Sequence, residues 1–274
     1  MNKKLIFLDI DGTLTRPGGT EPPESAVAAI RRARAAGHIV MLCTGRSPGL
    51  LQPLMRFGFD GAVACAGGHV FCGDRVIYDC PMTDEQVQHI LRAFRAHRVF
   101  PTLETLELAY SDEGILPFLE RLGGGDGVLV RWRIAMEKEL NIRPMKEYDG
   151  RPIYKIVFMC RTADQLEPAR KALEQDFNFV VQDVAAHNCL NGELINRKFD
   201  KGRGVKIVAE ALGFDLADTI GFGDSMNDLE MIQTVGTSVC MDNGSPALKE
   251  ISTLVCPAVD RDGLAWAFEK LGLC

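Results

Sequence analysis

Short apolar runs and mixed polar segments succeed one another along this chain, and both ends follow the same habit. Leu5-Ile-Phe-Leu8 is a continuous apolar run at the start, which predicts a buried strand over 5–10. A helix is expected over 24–36, stopped by Gly37. Strands at 38–43 and 62–66 follow, with a helix at 48–57 between them. Near the other end the pattern gives a helix at 202–212 ended by Gly213, a strand at 219–222, a helix at 228–233, a short strand at 238–241 and a closing helix at 263–271. Strands that alternate with helices imply an α/β fold, a Rossmann-like parallel-sheet core with helices on both faces.

The middle of the chain reads differently. It offers helices at 84–96 and 163–175 and strand-like pieces at 99–103, 128–133, 153–160 and 177–183. The glycine cluster at 123–127 fits no phosphate-loop spacing and reads as a turn. The expected organisation is therefore a core formed by 1–82 and 188–274, with an inserted α/β domain at 83–187.

Composition narrows the function classes. With 274 residues, 46% hydrophobic and 25% charged, the chain suits one large α/β domain or two domains. A net charge of −6 argues against a broad nucleic-acid or membrane surface but leaves room for an anionic small molecule. The nine cysteines contain no Cys-x-x-Cys, which points to buried thiols in a reducing cytoplasm. Met1-Asn-Lys-Lys4 leads straight into the first strand, and no apolar stretch is long enough to span a bilayer, so a cytoplasmic location is expected.

The candidate chemistry lies where the strands end. Asp9 and Asp11 follow the first strand, and in an extended backbone side chains two apart share a side, so the two carboxylates are expected to aim at one point. Asp-Gly after an apolar strand is also a turn signal, and the motif alone leaves both readings open. After the second strand, Thr44-Gly-Arg-Ser47 offers a hydroxyl and backbone N–H groups at a strand-to-helix junction, a setting that suits an anion or a simple cap. Lys201 opens a helix, where its charge opposes the helix dipole unless an anion is near; a solvated lysine is the alternative. Gly223-Asp-Ser-Met-Asn-Asp228 places Asp224, Asn227 and Asp228 after a further strand, more acid than a helix cap needs. Ligands of parallel sheets bind outside the carboxyl ends of the strands, so these segments should converge. Four carboxylates against one lysine leave about three uncompensated negative charges, which calls for a divalent cation. Oxygen ligands without His or Cys point to Mg²⁺.

Together, Asp9-Ile-Asp-Gly-Thr13, Thr44-Gly-Arg46, Lys201-Gly202 and Gly223-Asp-Ser-Met-Asn-Asp228 resemble the four ordered motifs of the haloacid dehalogenase superfamily, and more narrowly its Cof-type phosphatases with a large inserted α/β cap. The resemblance implies Asp9 as a nucleophile that forms an aspartyl-phosphate. It implies Asp11 as the acid that protonates the leaving alcohol and then the base that activates water. Asp9, the Asp11 main-chain carbonyl and Asp224 would hold Mg²⁺, supported by Asn227 and Asp228, while Thr44, Gly45 and Lys201 would bind the phosphoryl oxygens. The partner so implied is a small phosphorylated metabolite, most plausibly a sugar phosphate. The chain departs from the family at Ala66, where many relatives have Asn, at Lys198, and at Asp242 and Gly244; these changes bear on substrate preference. A sugar phosphomutase shares the aspartyl-phosphate and stays open as an alternative, as does a non-catalytic protein that binds phosphorylated metabolites.

Overall fold

The computed structural model describes residues 2–122, 134, 141–184 and 189–274. The expected strand at 128–133 and the glycine cluster at 123–127 lie outside the described residues. The chain divides into two compact units.

The first unit comprises Met1–Arg46, Leu51–Asp79 and Phe199–Cys274, so both chain ends build it. Its elements include β1 (Leu5–Leu8), α1 (Glu24–Ala35), β2 (Ile39–Cys43), part of α2 (Pro48–Met55), β3 (Gly61–Ala64), β4 (His69–Cys72) and β5 (Arg75–Asp79). β1, β2 and β3 run parallel, whereas β4 and β5 turn back antiparallel. The sheet continues on the other side of β1 with strands from the end of the chain, and the pairing Leu5↔Thr219 is parallel. β1 is therefore a central strand, fully buried on both faces, which explains its uninterrupted apolar sequence.

The second unit comprises Ser47–Leu50 and Cys80–Lys198. It holds α3 (Asp84–Ala96), β6 (Phe100–Glu104), β7 (Ala109–Ser111), α4 (Ile115–Leu122), β8 (Ile142–Pro144), β9 (Lys155–Cys160), α5 (Ala163–Leu173), β10 (Phe177–Val184) and β11 (Cys189–Asn196). Its six strands are ordered β10-β11-β9-β6-β7-β8, antiparallel except for the β7–β8 pair. Alternate residues such as Leu103, Ile156, Phe158 and Leu194 face α3 and α5 and form a core of their own with Val87, Ile90, Phe94 and Leu166. α3 starts at a capping box in which Thr83 accepts from Gln86 N while the Gln86 side chain accepts from Thr83 N.

The division expected at 187/188 differs from the observed one by β11. That strand pairs with β10 over its whole length and with β9, so the second unit runs on to Lys198.

The remaining elements of the first unit are α6 (Lys201–Leu212), β12 (Thr219–Gly223), α7 (Leu229–Thr234), β13 (Thr237–Met241), α8 (Pro246–Ile251), β14 (Leu254–Cys256) and α9 (Gly263–Lys270). Its sheet runs β14-β13-β12-β1-β2-β3-β4-β5. Leu5, Phe7, Met41, Cys43 and Val63 pack on α6 and α7 through Val205, Val208, Ala209 and Met231. The other face carries Leu8 and its strand neighbour Phe222, whose ring meets Phe268 of α9 at 5.4 Å. With both faces covered, polar groups collect at the strand ends.

Candidate active site

Because β1, β2, β3, β12 and β13 are parallel, their carboxyl ends share one edge of the sheet. Asp9 follows β1 there, Thr44 follows β2, and Asp224 follows β12. α6 begins at Lys201, with Asp200 as its cap accepting from Arg203 N at 2.7 Å.

Lys201 is the hub. Its side chain is 2% exposed, and Nζ donates to Asp9 Oδ1 at 2.6 Å and to Asp228 Oδ1 at 2.5 Å. The other oxygen of Asp228 accepts from the backbone N–H groups of Asp224 (3.1 Å) and Ser225 (3.2 Å). Asp228 is fully buried and thus ties the lysine to the loop after β12. Asp9, Asp224 and Asp228 bring carboxylate oxygens within 4.8 Å of one another.

The electrostatics follow from burial. Desolvation and the neighbouring Asp228 carboxylate push Asp9 up to about 8, although Lys201 opposes them. The same two causes push Asp224 up to about 6 against a hydrogen bond from the Thr13 hydroxyl at 3.3 Å. Burial works against the Lys201 ammonium, but Asp228 and Asp9 outweigh it and hold the lysine above its ordinary range.

Asp11 stands elsewhere, and the expectation of two acids aimed at one point is corrected. β1 ends at Leu8, the chain turns at Ile10, and Gly12 takes a left-handed φ of 91°. The alternation of an extended strand therefore no longer applies at Asp11. Its carboxylate accepts from Arg46 Nε at 2.9 Å, from an Arg46 terminal nitrogen at 2.6 Å and from Gly18 N at 2.6 Å. Asp9 and Asp11 thus face separate cations. With Asp11 paired to Arg46, three clustered carboxylates against one ammonium leave two uncompensated negative charges rather than about three. That balance and the all-oxygen donor set fit a hard divalent cation.

The other expected residues divide. Thr44 is 2% exposed. Its Oγ1 accepts from Arg46 N at 3.1 Å, which leaves the hydroxyl proton for another acceptor. Gly45 is half-buried between them. Asn227 is exposed, with Oδ1 accepting from Ser225 Oγ at 2.7 Å, so its side chain points to its own loop rather than to the cluster. Asp228, expected only as support, is a full member of the cluster.

Three residues escaped the sequence reading as parts of the site. Thr13 bonds Asp224. Arg46 pairs with Asp11. Asn243 donates from Nδ2 to Gly12 O at 2.8 Å and accepts from Val259 N at 3.1 Å, pinning the turn after β1. The first two lie inside the motifs, where an arginine beside Thr44 and a hydroxyl beside the acids were the available signals. Gly12 is needed for space as well as for its φ, since a Cβ there would stand 2.3 Å from Asp224 Oδ2.

A family model described as haloacid dehalogenase-like hydrolase matches residues 6–268. The chain belongs to the haloacid dehalogenase-like hydrolases. YkrA of Bacillus subtilis, named provisionally as a phosphatase, is 31% identical over 100% of this chain and 99% of its own. YwtE of the same organism, named 5-amino-6-(5-phospho-D-ribitylamino)uracil phosphatase, is 26% identical over 98% of each chain. A solved structure from Geobacillus kaustophilus has a TM-score of 0.83 at 26% identity and covers 100% of both chains. The family and its phosphatase class agree with the expectation drawn from the four motifs. No described helix is long and apolar enough to cross a membrane.

Proposed function

We propose that this hydrolase is a Mg²⁺-dependent phosphatase that hydrolyses a small phosphorylated metabolite, most simply a sugar phosphate, through an aspartyl-phosphate. The observation that carries this reading is the buried Asp9 carboxylate, bonded to Lys201 and set against Asp224 and Asp228 at a strand end. A carboxylate oxygen so held can attack phosphorus while a cation beside it offsets the charge of the phosphoryl group.

In this mechanism an Asp9 oxygen forms a bond to phosphorus and the bond to the ester oxygen breaks. Asp11 gives its proton to the departing alkoxide, so that an alcohol leaves. It then takes a proton from water, whose oxygen attacks phosphorus and returns Asp9 as a carboxylate with inorganic phosphate as product. Lys201 and the Thr44 hydroxyl, with the Gly45 backbone, bind phosphoryl oxygens. Asp9, Asp224 and the Asp11 main-chain carbonyl, with Asp228 behind them, would hold Mg²⁺, which would supply positive charge to the transferring group. Asn227 supports the metal loop through its bond with Ser225. The second unit serves as the cap that selects the leaving group. YwtE's named substrate carries a phosphorylated ribityl chain, a sugar-alcohol phosphate, which is compatible with the sugar-phosphate class.

Phosphate release from a panel of phosphorylated metabolites, with Mg²⁺ or with chelator, tests the reading. Asp9→Asn should abolish turnover, on the order of 10⁴-fold or more, while the fold persists. A variant that keeps most of its activity would place the nucleophile elsewhere, and hydrolysis unaffected by chelation would remove the metal.

A further inference from the structure

Arg46 is built to decide where the Asp11 carboxylate stands. Its backbone is fixed on both sides: N donates to Thr44 Oγ1 at 3.1 Å, and O accepts from Cys65 N at 3.0 Å. Its guanidinium makes a two-pronged contact with Asp11 and also donates to Gly19 O at 3.0 Å. The arginine side chain is 15% exposed and its partner 39% exposed, so packing sets the arginine and the arginine sets the acid. A rigid planar fork fixes both the position and the plane of a carboxylate, which a lysine ammonium does not do. Asp11 lies on a turn rather than on β1, and the next residue, Gly12, lies so close to Asp224 that a Cβ on it would stand 2.3 Å from Oδ2. Without this clamp its side chain could add a further carboxylate to the acidic cluster instead of facing the leaving oxygen.

We infer that Arg46 is the positioning residue of Asp11, holding its carboxylate out of the Asp9–Asp224–Asp228 cluster and in the place from which it serves the leaving group. This rests on the phosphatase reading above. It assigns Arg46 a role in leaving-group departure and none in binding the phosphoryl group.

The two roles separate by leaving group. Loss of the ester oxygen as an alkoxide needs a placed proton donor, whereas p-nitrophenolate departs without one. The quantity to compare is kcat/KM, which covers steps through P–O cleavage when that step is irreversible. Arg46→Gln should lower kcat/KM on the order of 10²-fold for a sugar 6-phosphate or glycerol phosphate. The same variant should change it by less than about threefold for p-nitrophenyl phosphate. On the alkyl ester Asp11→Asn should lose a comparable factor, and the double variant little beyond either single one. Arg46→Lys keeps the charge without the fork and carries the same comparison if Arg46→Gln does not fold. Equal losses on both esters, additive losses in the double variant, or no loss on the alkyl ester would each overturn the role of Arg46. A wild-type protein inert on both esters would instead bring down the phosphatase reading, and this inference with it.

Discussion

Lys201 shows how much one side chain can hold. It is the first residue of α6, where the helix dipole disfavours a cation, and it is buried. Only the two acids it bridges make that position tolerable. Lys201→Met should therefore destabilise the cation-free protein by about 3–5 kcal/mol, because it leaves the fully buried Asp228 carboxylate without its counter-charge. Urea unfolding at neutral pH measures this, and a loss below about 1 kcal/mol would mean that the buried carboxylate takes up a proton from solvent instead. At this scale the residue types were legible. Asp9, Asp224, Asp228 and Lys201 could be found because acids and a lysine at strand and helix ends have few structural uses. The direction of Asp11 was not legible, since it depends on the turn at Gly12 and on an arginine many residues away. Nor was the outward turn of Asn227, which is set by its bond to Ser225.

The elements carry the site by close approach. Gly202 lies where α6 meets α7, and a Cβ there would stand 2.3 Å from Glu230 O, a backbone atom that cannot swing aside. Gly202→Ala should push the start of α6 away from α7, lowering stability by about 1–3 kcal/mol and reducing kcat through the neighbouring Lys201. A thermal melt paired with turnover assays checks both, and an unchanged kcat would show that α6 can slide without moving the lysine. The turn after β3 is another tight place: Cys65 and Ala66 adopt left-handed φ values of 52° and 57° while their N–H groups bond Arg46 O and Thr44 O. The sequence marked Ala66 as a missing amide but held no sign of its backbone. It did foretell α3 at 84–96 and the core strands from continuous apolar runs and caps. It missed β4 and β5, whose hairpin turns at Gly73-Asp74: β4 is only four residues long, and β5, at the sheet edge, is largely exposed. β14 and α8 were passed over because each is short, and short elements are held by their neighbours more than by their own pattern.

For the molecule as a whole, the acidic cluster couples stability to pH. Asp9 rises from its ordinary 3.8 to about 8 in the fold, so between those values the native state keeps a proton that the unfolded chain has lost. Without a bound cation, this group's contribution makes stability fall as pH rises through that window. Mg²⁺ and protons compete for the same oxygens, so millimolar Mg²⁺ should raise the melting temperature more at pH 8 than at pH 6. Scanning fluorimetry at both pH values gives the answer, and an equal rise would mean that the ion binds away from Asp9 and Asp224.

The pairing of β1 with β12 also governs how this protein is made. A ribosome delivers the chain N-terminus first, at about 5–20 residues per second. The entire second unit has emerged before the strand Thr219–Gly223 appears. Until then one side of Leu5–Leu8 carries bare hydrogen-bonding groups, and Asp9 lacks the opposing acids Asp224 and Asp228. A premature stop anywhere ahead of Thr219 would release a fragment with a sticky sheet edge and half a reaction centre, so quality control in translation matters more for this architecture than for one whose catalytic residues are neighbours in sequence.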